Sequence, residues 1–133
     1  MARILVVEDE PIVGMQLQES LESMGHAVPA VVDSGDAVIG AVLAHSPDLI
    51  LMDIKLRSFI DGVDAAARVR LIRDVPIIYL TAYPSQGSQD RAERTSPAAY
   101  LVKPIDDKTL AEQIERALSP GVPGAGEGAE GRL

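Results

Sequence analysis

Five short runs of apolar residues recur along the chain, and stretches with the spacing of amphipathic helices separate them. Strands that are apolar throughout belong to sheets covered on both faces, and their alternation with helices is typical of a parallel sheet. The pattern therefore predicts an α/β domain with helices packed against both sides of one sheet. The predicted strands are Ile4–Val7, Ala27–Val32, Leu49–Met52, Ile77–Leu80 and Tyr100–Val102.

Several of the stretches between the predicted strands carry helix boundary residues. Pro11 suits the first turn of a helix, and Gly25 suits the position after a last turn. The fourth stretch differs because Ala92 is its only apolar residue, so we expect that helix to pack poorly and to move easily. The predicted helices are Pro11–Met24, Ser34–His45, Gly62–Arg73, Gln86–Ser96 and Asp106–Leu118.

Pro29 restricts the order of the strands. Proline has no backbone N–H to offer a central strand, so the second strand is expected at an edge of the sheet. Right-handed crossovers leave few topologies, and the flavodoxin-like order 2-1-3-4-5 satisfies both conditions. We therefore predict a flavodoxin-like (βα)5 fold, a doubly wound parallel five-stranded sheet, over residues 1–118. Seven of the fifteen residues in 119–133 are Gly or Pro, which predicts a flexible tail or a linker stub.

The composition restricts the function classes. Without cysteine, the chain can hold no disulfide, thiolate metal site or cysteine nucleophile. A formal net charge of −8 repels nucleic-acid phosphates, which argues against direct nucleic-acid binding. No apolar run reaches the ~18 residues that a membrane helix needs, so we expect no membrane span and take a cytoplasmic location as the default.

Polar residues follow four of the predicted strands. Glu8 and Asp9 come after the first, Asp53 after the third, Thr81 after the fourth and Lys103 after the fifth. Sites in open parallel α/β sheets form at the carboxyl ends of the strands, near the point where the strand order reverses. We therefore expect these five residues to lie close together.

These residue types suit phosphoryl chemistry. Clustered carboxylates repel one another unless a cation neutralises them, and an all-oxygen set without His or Cys favours a hard ion, Mg²⁺ above all. Lys103 adds a positive charge able to hold a phosphoryl oxygen, and Thr81 adds a hydroxyl donor. In such surroundings the Asp53 carboxylate can act as a nucleophile toward phosphorus.

Each residue also has an ordinary structural interpretation. Acidic residues before a helix complement its dipole whatever the function, and Asp is common in loops. His26 and His45 are interpreted as C-terminal helix residues, not metal ligands, and Tyr79 and Phe59 as core or loop-packing residues. The functional interpretation is favoured because its residues follow four different strands.

The chain resembles the receiver domain of bacterial two-component response regulators over about residues 3–118. The resemblance depends on a set of short segments in a fixed order and at fixed separations. The matching segments are Ile4–Glu10, Pro47–Asp53, Asp61–Gly62, Thr81–Ala82 and Tyr100–Pro104.

The resemblance implies that Asp53 is the phosphoacceptor and that Mg²⁺ is the cofactor. Glu8 and Asp9 match the acidic pair that binds the metal, with Asp9 favoured as the direct ligand and Glu8 acting through water. The backbone carbonyl of Lys55 matches the third protein ligand.

The resemblance also implies a switch and a set of partners. Thr81 and Lys103 match residues that contact the phosphoryl group, and Tyr100 matches the aromatic that reorients with Thr81 on activation. The phosphoryl donor would be a histidine kinase or a phosphotransfer protein, and a downstream protein target or a homodimer partner would read the phosphoprotein in phosphorelay signal transduction. Such a domain is not an enzyme, although it assists its own phosphorylation and dephosphorylation.

The sequence departs from the family pattern at two places. Arg57 stands four residues after the acceptor, where proline is common, and the loop from Asp53 to Asp61 is one residue longer than usual. Tyr83 occupies a variable position that tunes phosphoryl lifetime. The bond before Pro104 matches one that is usually cis.

Three other functions fit the fold. A phosphatase with Asp53 as nucleophile would need a second aspartate two residues later, where this chain has Lys55. A flavodoxin-like cofactor binder would need a phosphate-binding loop after the first strand, where Glu8, Asp9 and Glu10 repel phosphate. A receiver that is never phosphorylated would not need the complete set of acidic and basic residues found here.

Overall fold

The computed structural model of the protein describes residues 1–119. Its strands are β1 (Ile4–Val7), β2 (Val31–Val32), β3 (Leu49–Asp53), β4 (Ile77–Thr81) and β5 (Ala99–Val102). Its helices are α1 (Pro11–Ser23), α2 (Val38–His45), α3 (Gly62–Arg70), α4 (Gln86–Glu93) and α5 (Asp107–Leu118). The strands pair in parallel in the order β2-β1-β3-β4-β5, which confirms the predicted topology. The tail prediction for 119–133 lies, beyond Ser119, outside the described residues.

The second strand lies at the sheet edge, as Pro29 predicted, but it is much shorter than the predicted strand. Only Val31 and Val32 pair with β1 as a strand, and Ala27 forms an isolated bridge to Arg3. Pro29 lies between these two contacts and has no N–H for a ladder, so the pairing is interrupted there. The prediction of one strand over Ala27–Val32 was therefore wrong in length.

Three helices differ from their predicted bounds by three residues or more, and α1 and α5 differ by one residue. A 3-10 turn at Gly35–Ala37 precedes α2, because the Ser34 hydroxyl accepts a hydrogen bond from the Ala37 N–H at 3.3 Å and caps this turn. Helix α3 ends at Arg70 and not at Arg73, which leaves Ile72 40% exposed instead of facing inward. Helix α4 ends at Glu93, three residues before its predicted end.

The strands alternate their side chains between two apolar layers. On one face, Leu5, Ile50 and Tyr79 pack with residues of α2 and α3. On the other face, Val6 and Leu51 pack with the buried side of α5 and with α1 residues. Because helices cover both faces of the sheet, a polar site is expected at the ends of the central strands and not within the apolar layers.

Helix α4 is held mainly by polar contacts. Ala92 is its one buried residue. The Arg91 guanidinium donates to Asp61 at 3.0 Å and to Asp64 at 3.2 Å, both at the start of α3. Just after the helix, the Thr95 hydroxyl lies 2.6 Å from the Tyr79 hydroxyl. The predicted lack of apolar anchoring is confirmed, and the mobility of α4 stays a prediction.

Candidate functional site

The carboxyl ends of β1 and β3 carry the acidic residues. In the parallel register, Val7 is opposite Met52, so Glu8 follows β1 beside Asp53, the last residue of β3. Carboxylate oxygens of Glu8, Asp9 and Asp53 lie within 4.8 Å of one another. The sheet topology thus brings together the three side chains that the sequence indicated as a metal site.

Lys103 joins this cluster from the end of β5. Its Nζ donates to Glu8 Oε1 at 2.7 Å and lies 3.4 Å from Asp53 Oδ2. The Lys103 N–H also donates to the Thr81 carbonyl at 2.8 Å, and the following bond to Pro104 is cis, as predicted. Burial by itself would lower the pKa of Lys103, but the Glu8 and Asp53 carboxylates outweigh burial and raise it. The ammonium group is therefore held in its charged form.

Asp53 is nearly buried, with 7% of its surface exposed. Burial, followed by contact with the Glu8 carboxyl, raises the pKa of Asp53 to about 7, against the opposing charge of Lys103. Its Oδ1 accepts a hydrogen bond from the Lys55 N–H at 3.1 Å. The carboxylate is thus crowded by acids, and a bound cation would favour its charged form.

The donor set fits a hard divalent cation. The three carboxylates outnumber the cationic side chains that contact them, so negative charge is in excess. All the acidic donors are oxygens, which Mg²⁺ prefers over softer ligands. Glu8, Asp9 and Asp53 are the side chains that would hold such an ion. The Lys55 carbonyl has no described contact with the cluster, and its role as a ligand stays a prediction.

Asp9 has a partner that sequence analysis missed. The Arg57 N–H donates to Asp9 Oδ2 at 2.9 Å, and the Arg57 Nε lies 3.6 Å from the same oxygen. The sequence marked Arg57 as a departure from the family pattern, but nothing in the sequence showed that the longer loop turns this residue back toward Asp9. The acidic cluster is therefore contacted by two cationic side chains.

Thr81 is the last residue of β4, and Tyr100 lies within the adjacent strand β5. Thr81 is fully buried, and its hydroxyl accepts a hydrogen bond from the Tyr83 N–H at 3.2 Å. The Tyr100 ring packs against Tyr79 with 6.5 Å between centroids. Within residues 1–119, the buried Tyr100 hydroxyl has no hydrogen-bond partner. An unpaired buried hydroxyl costs about 1–3 kcal/mol, which disfavours this inward ring position.

Other residues considered in the sequence lie away from the cluster. His26 Nδ1 accepts from the Ala2 N–H at 3.1 Å, and the His45 carbonyl accepts from Arg3 at 2.8 Å. Neither histidine belongs to the group that could hold a metal. Phe59 was expected to pack in the core or a loop, but 97% of it is exposed, whereas Leu56 and Ile60 of the same loop are buried in the core.

Asp61 and Gly62 fix the loop that follows Asp53. Asp61 Oδ1 accepts from the Asp64 N–H at 2.9 Å and caps α3. Burial would raise the pKa of Asp61, but the Arg91 guanidinium and the Asp64 N–H outweigh it and lower the pKa. A Cβ atom at Gly62 would overlap the carbonyl oxygen of Asp53, so this position needs glycine for close approach.

Gly62→Ala is expected to lower the free energy of unfolding by about 2 kcal/mol, because the added methyl forces the Asp53 backbone to move. Urea denaturation without divalent cations measures this change. Gly87→Ala is the matched control, since a Cβ there meets nothing within 4 Å and alanine favours the helix. Equal stability changes in the two variants would contradict the close-approach requirement.

The helices were also compared with the length of a membrane span. Among residues 1–119, no helix has the length and apolar character required to cross a bilayer.

Comparison with known families gives a match over most of the chain. Residues 4–115 match the family described as the response regulator receiver domain. The chain is 36% identical over 117 residues to transcriptional regulatory protein PdtaR of Mycobacterium tuberculosis, a match that covers 88% of this chain and 57% of PdtaR. It is 32% identical over 122 residues to protein PilH of Pseudomonas aeruginosa, covering 90% of this chain and 99% of PilH. The chain therefore spans little more than half of PdtaR and nearly all of PilH.

Solved structures give the same match in three dimensions. The signal receiver domain of a modulated diguanylate cyclase from Desulfovibrio desulfuricans superposes with a TM-score of 0.84 at 36% identity, covering 89% of this chain and 94% of that one. The BeF3-activated N-terminal receiver domain of RstA from Klebsiella pneumoniae superposes with a TM-score of 0.81 at 27% identity, covering 87% and 97%. Both superpositions support the α/β fold described above.

Proposed function

This chain belongs to the response regulator receiver family of two-component signalling, and from that premise we propose that it accepts a phosphoryl group on Asp53 in a Mg²⁺-dependent reaction. The donor is a histidine kinase or a phosphotransfer protein. The observation that carries the proposal is the cluster of Glu8, Asp9 and Asp53 oxygens within 4.8 Å, with the Lys103 ammonium 3.4 Å from Asp53.

The transfer needs a nucleophile and a means of offsetting negative charge. An Asp53 carboxylate oxygen forms a bond to phosphorus while the phosphorus–nitrogen bond of the donor phosphohistidine breaks, and the departing imidazole nitrogen takes up a proton. Lys103 Nζ pairs with an oxygen of the arriving group, since it already lies beside Asp53. Glu8, Asp9 and Asp53 would hold Mg²⁺, which would supply further neutralisation of negative charge.

The product is a signalling state of the domain. The receiver is a phosphoprotein and not an enzyme acting on other substrates, and the same residues assist loss of the phosphoryl group. We place this exchange in the cytoplasm, where the proposed donor presents its phosphohistidine. A downstream protein target or a second copy of the chain, and not nucleic acid, reads the phosphorylated state.

Intact-mass measurement with a small phosphodonor such as acetyl phosphate tests the proposal. One phosphoryl group per chain is expected in the presence of Mg²⁺, and none after chelation of the metal. Failure to gain the group in Mg²⁺, with the protein folded by circular dichroism, would overturn the proposed function.

Phosphorylation is proposed to act at the face formed by α4, β5 and α5. The Thr81 hydroxyl, which accepts from the Tyr83 N–H, would donate to the phosphoryl group, and its movement toward that group would shift the start of the β4–α4 loop. Among residues 1–119 the buried Tyr100 hydroxyl lacks a hydrogen-bond partner, and α4 has few apolar anchors to oppose its movement. The phosphoryl group shifts this equilibrium only through its different contacts in the two states.

Thr81→Ala is expected to permit phosphorylation but to uncouple it from α4, β5 and α5, because the variant lacks the hydroxyl that responds to the phosphoryl group. Amide chemical shifts with and without beryllofluoride in Mg²⁺ measure this coupling. Wild-type shifts should extend through residues 86–118, whereas those of the variant should stay near Asp53. Equal spread in both proteins would contradict the assigned role.

A further inference from the structure

Asp9 is contacted by Arg57 and not by Lys103. Its Oδ2 accepts the Arg57 backbone N–H at 2.9 Å and lies 3.6 Å from the Arg57 Nε. The Asp9 side chain is only 9% exposed, whereas the Arg57 side chain is 79% exposed. An exposed cation therefore contacts a largely buried carboxylate.

The two cationic side chains pair with different carboxylates of the cluster. Lys103 pairs with Glu8 and Asp53, and Arg57 pairs with Asp9. Each carboxylate thus has a cationic partner. A divalent cation at this cluster must compete with the guanidinium for the charge of Asp9 and must tolerate a positive group close by.

We infer that Arg57 lowers the affinity of the site for divalent cations by competing for Asp9. Arg57 lowers the affinity for the metal in two ways. Its contact with Asp9 stabilises the protein without bound metal, and its charge repels a bound metal ion. Arg57 is a positioning and affinity-setting residue that acts through Asp9. The inference rests on the proposed Mg²⁺ site and adds a residue that the family pattern assigns no role.

The exposure of the Arg57 side chain limits the expected change in Mg²⁺ affinity. The contact is made at one Nε atom of a mostly exposed side chain, so solvent screens it strongly. Replacing Arg57 with glutamine should tighten Mg²⁺ binding about two- to fivefold. The backbone N–H remains in the variant, so Asp9 keeps the hydrogen bond that orients it.

Isothermal titration of the full chain with MgCl₂ measures the affinity directly. Arg57→Gln is expected to bind Mg²⁺ more tightly than the wild type, whereas Arg57→Lys, which retains the charge, should stay near the wild-type value. Arg73→Gln is the matched control, because it removes the same charge from the loop between α3 and β4. This loop lies at the amino end of β4, whereas the acidic cluster lies at the carboxyl ends of the strands. This control should leave the affinity within about twofold of the wild type.

A double-mutant cycle with Asp9→Asn tests whether Arg57 acts through Asp9. In the Asp9→Asn background, Arg57→Gln should lose most of its effect on Mg²⁺ affinity. Raising the KCl concentration should also shrink the difference between wild type and Arg57→Gln, since the guanidinium is exposed.

The outcomes separate this inference from the proposed function. No Mg²⁺ binding by the wild type would refute the metal site itself. Wild-type binding with weaker or unchanged affinity in Arg57→Gln, or an equal gain in Arg73→Gln, would overturn the role of Arg57 while leaving the metal site intact. A full effect of Arg57→Gln in the Asp9→Asn background would also overturn it.

Discussion

Asp53→Asn is expected to abolish uptake of the phosphoryl group, from one group per chain to none. An amide is a poor nucleophile, and the variant lacks the negatively charged carboxylate oxygen that forms the bond to phosphorus. The fold should persist, since burial and the Glu8 carboxyl already disfavour a charged Asp53 in the metal-free protein.

Intact mass with acetyl phosphate and Mg²⁺ measures the effect of Asp53→Asn. Asp74→Asn is a suitable control, because Asp74 is fully exposed and lies just before the amino end of β4, away from the carboxyl ends that carry the site. The control should gain one phosphoryl group at the wild-type rate. Undiminished labelling of Asp53→Asn would contradict the assignment of the acceptor.

Asp9→Ala is expected to weaken Mg²⁺ binding at least tenfold. The variant loses one of three clustered carboxylates, and an ionic ligand of a hard cation contributes more than about 1.4 kcal/mol. Isothermal titration with MgCl₂ measures the change. The direction is opposite to that of Arg57→Gln, although both substitutions remove the same ion pair.

Glu10→Ala is the matched control for Asp9→Ala. Glu10 is exposed, and among residues 1–119 its side chain forms no ion pair or hydrogen bond, yet its replacement removes the same charge next to the site. Its Mg²⁺ affinity should stay within about threefold of the wild type. Similar losses in the two variants would show that net charge, and not ligation by Asp9, sets the affinity.

The sequence predicted the fold and the meeting of the acidic residues because both depend on periodicity and topology. Apolar runs specified the strands, Pro29 specified the edge, and parallel strands bring their carboxyl ends together whatever the loop sequences are. Glu8 and Asp53 therefore had to be neighbours once the strand order was known, because β1 pairs with β3. Lys103 follows β5, two strands away from β3, and its long side chain reaches both carboxylates. The roles assigned to them remain predictions for the experiments above.

The sequence could not predict features that depend on loop paths and tertiary contacts. The pairing of Arg57 with Asp9 requires the course of the loop after β3, and no local pattern encodes it. The contact of Arg91 with Asp61 joins residues 30 apart on different elements. The short β2 and the exposed Phe59 have the same origin, since edge pairing and loop packing follow the surrounding structure more than local propensity.

The position of the phosphoryl group can be located directly in the wild-type protein. After incubation with acetyl phosphate, borohydride reduces an aspartyl phosphate to homoserine and releases phosphate, and peptide fragmentation then identifies the altered residue. We expect homoserine at position 53, and only in samples that contained Mg²⁺. Homoserine at another position, or equal amounts at position 53 without Mg²⁺, would contradict Mg²⁺-dependent phosphorylation of Asp53.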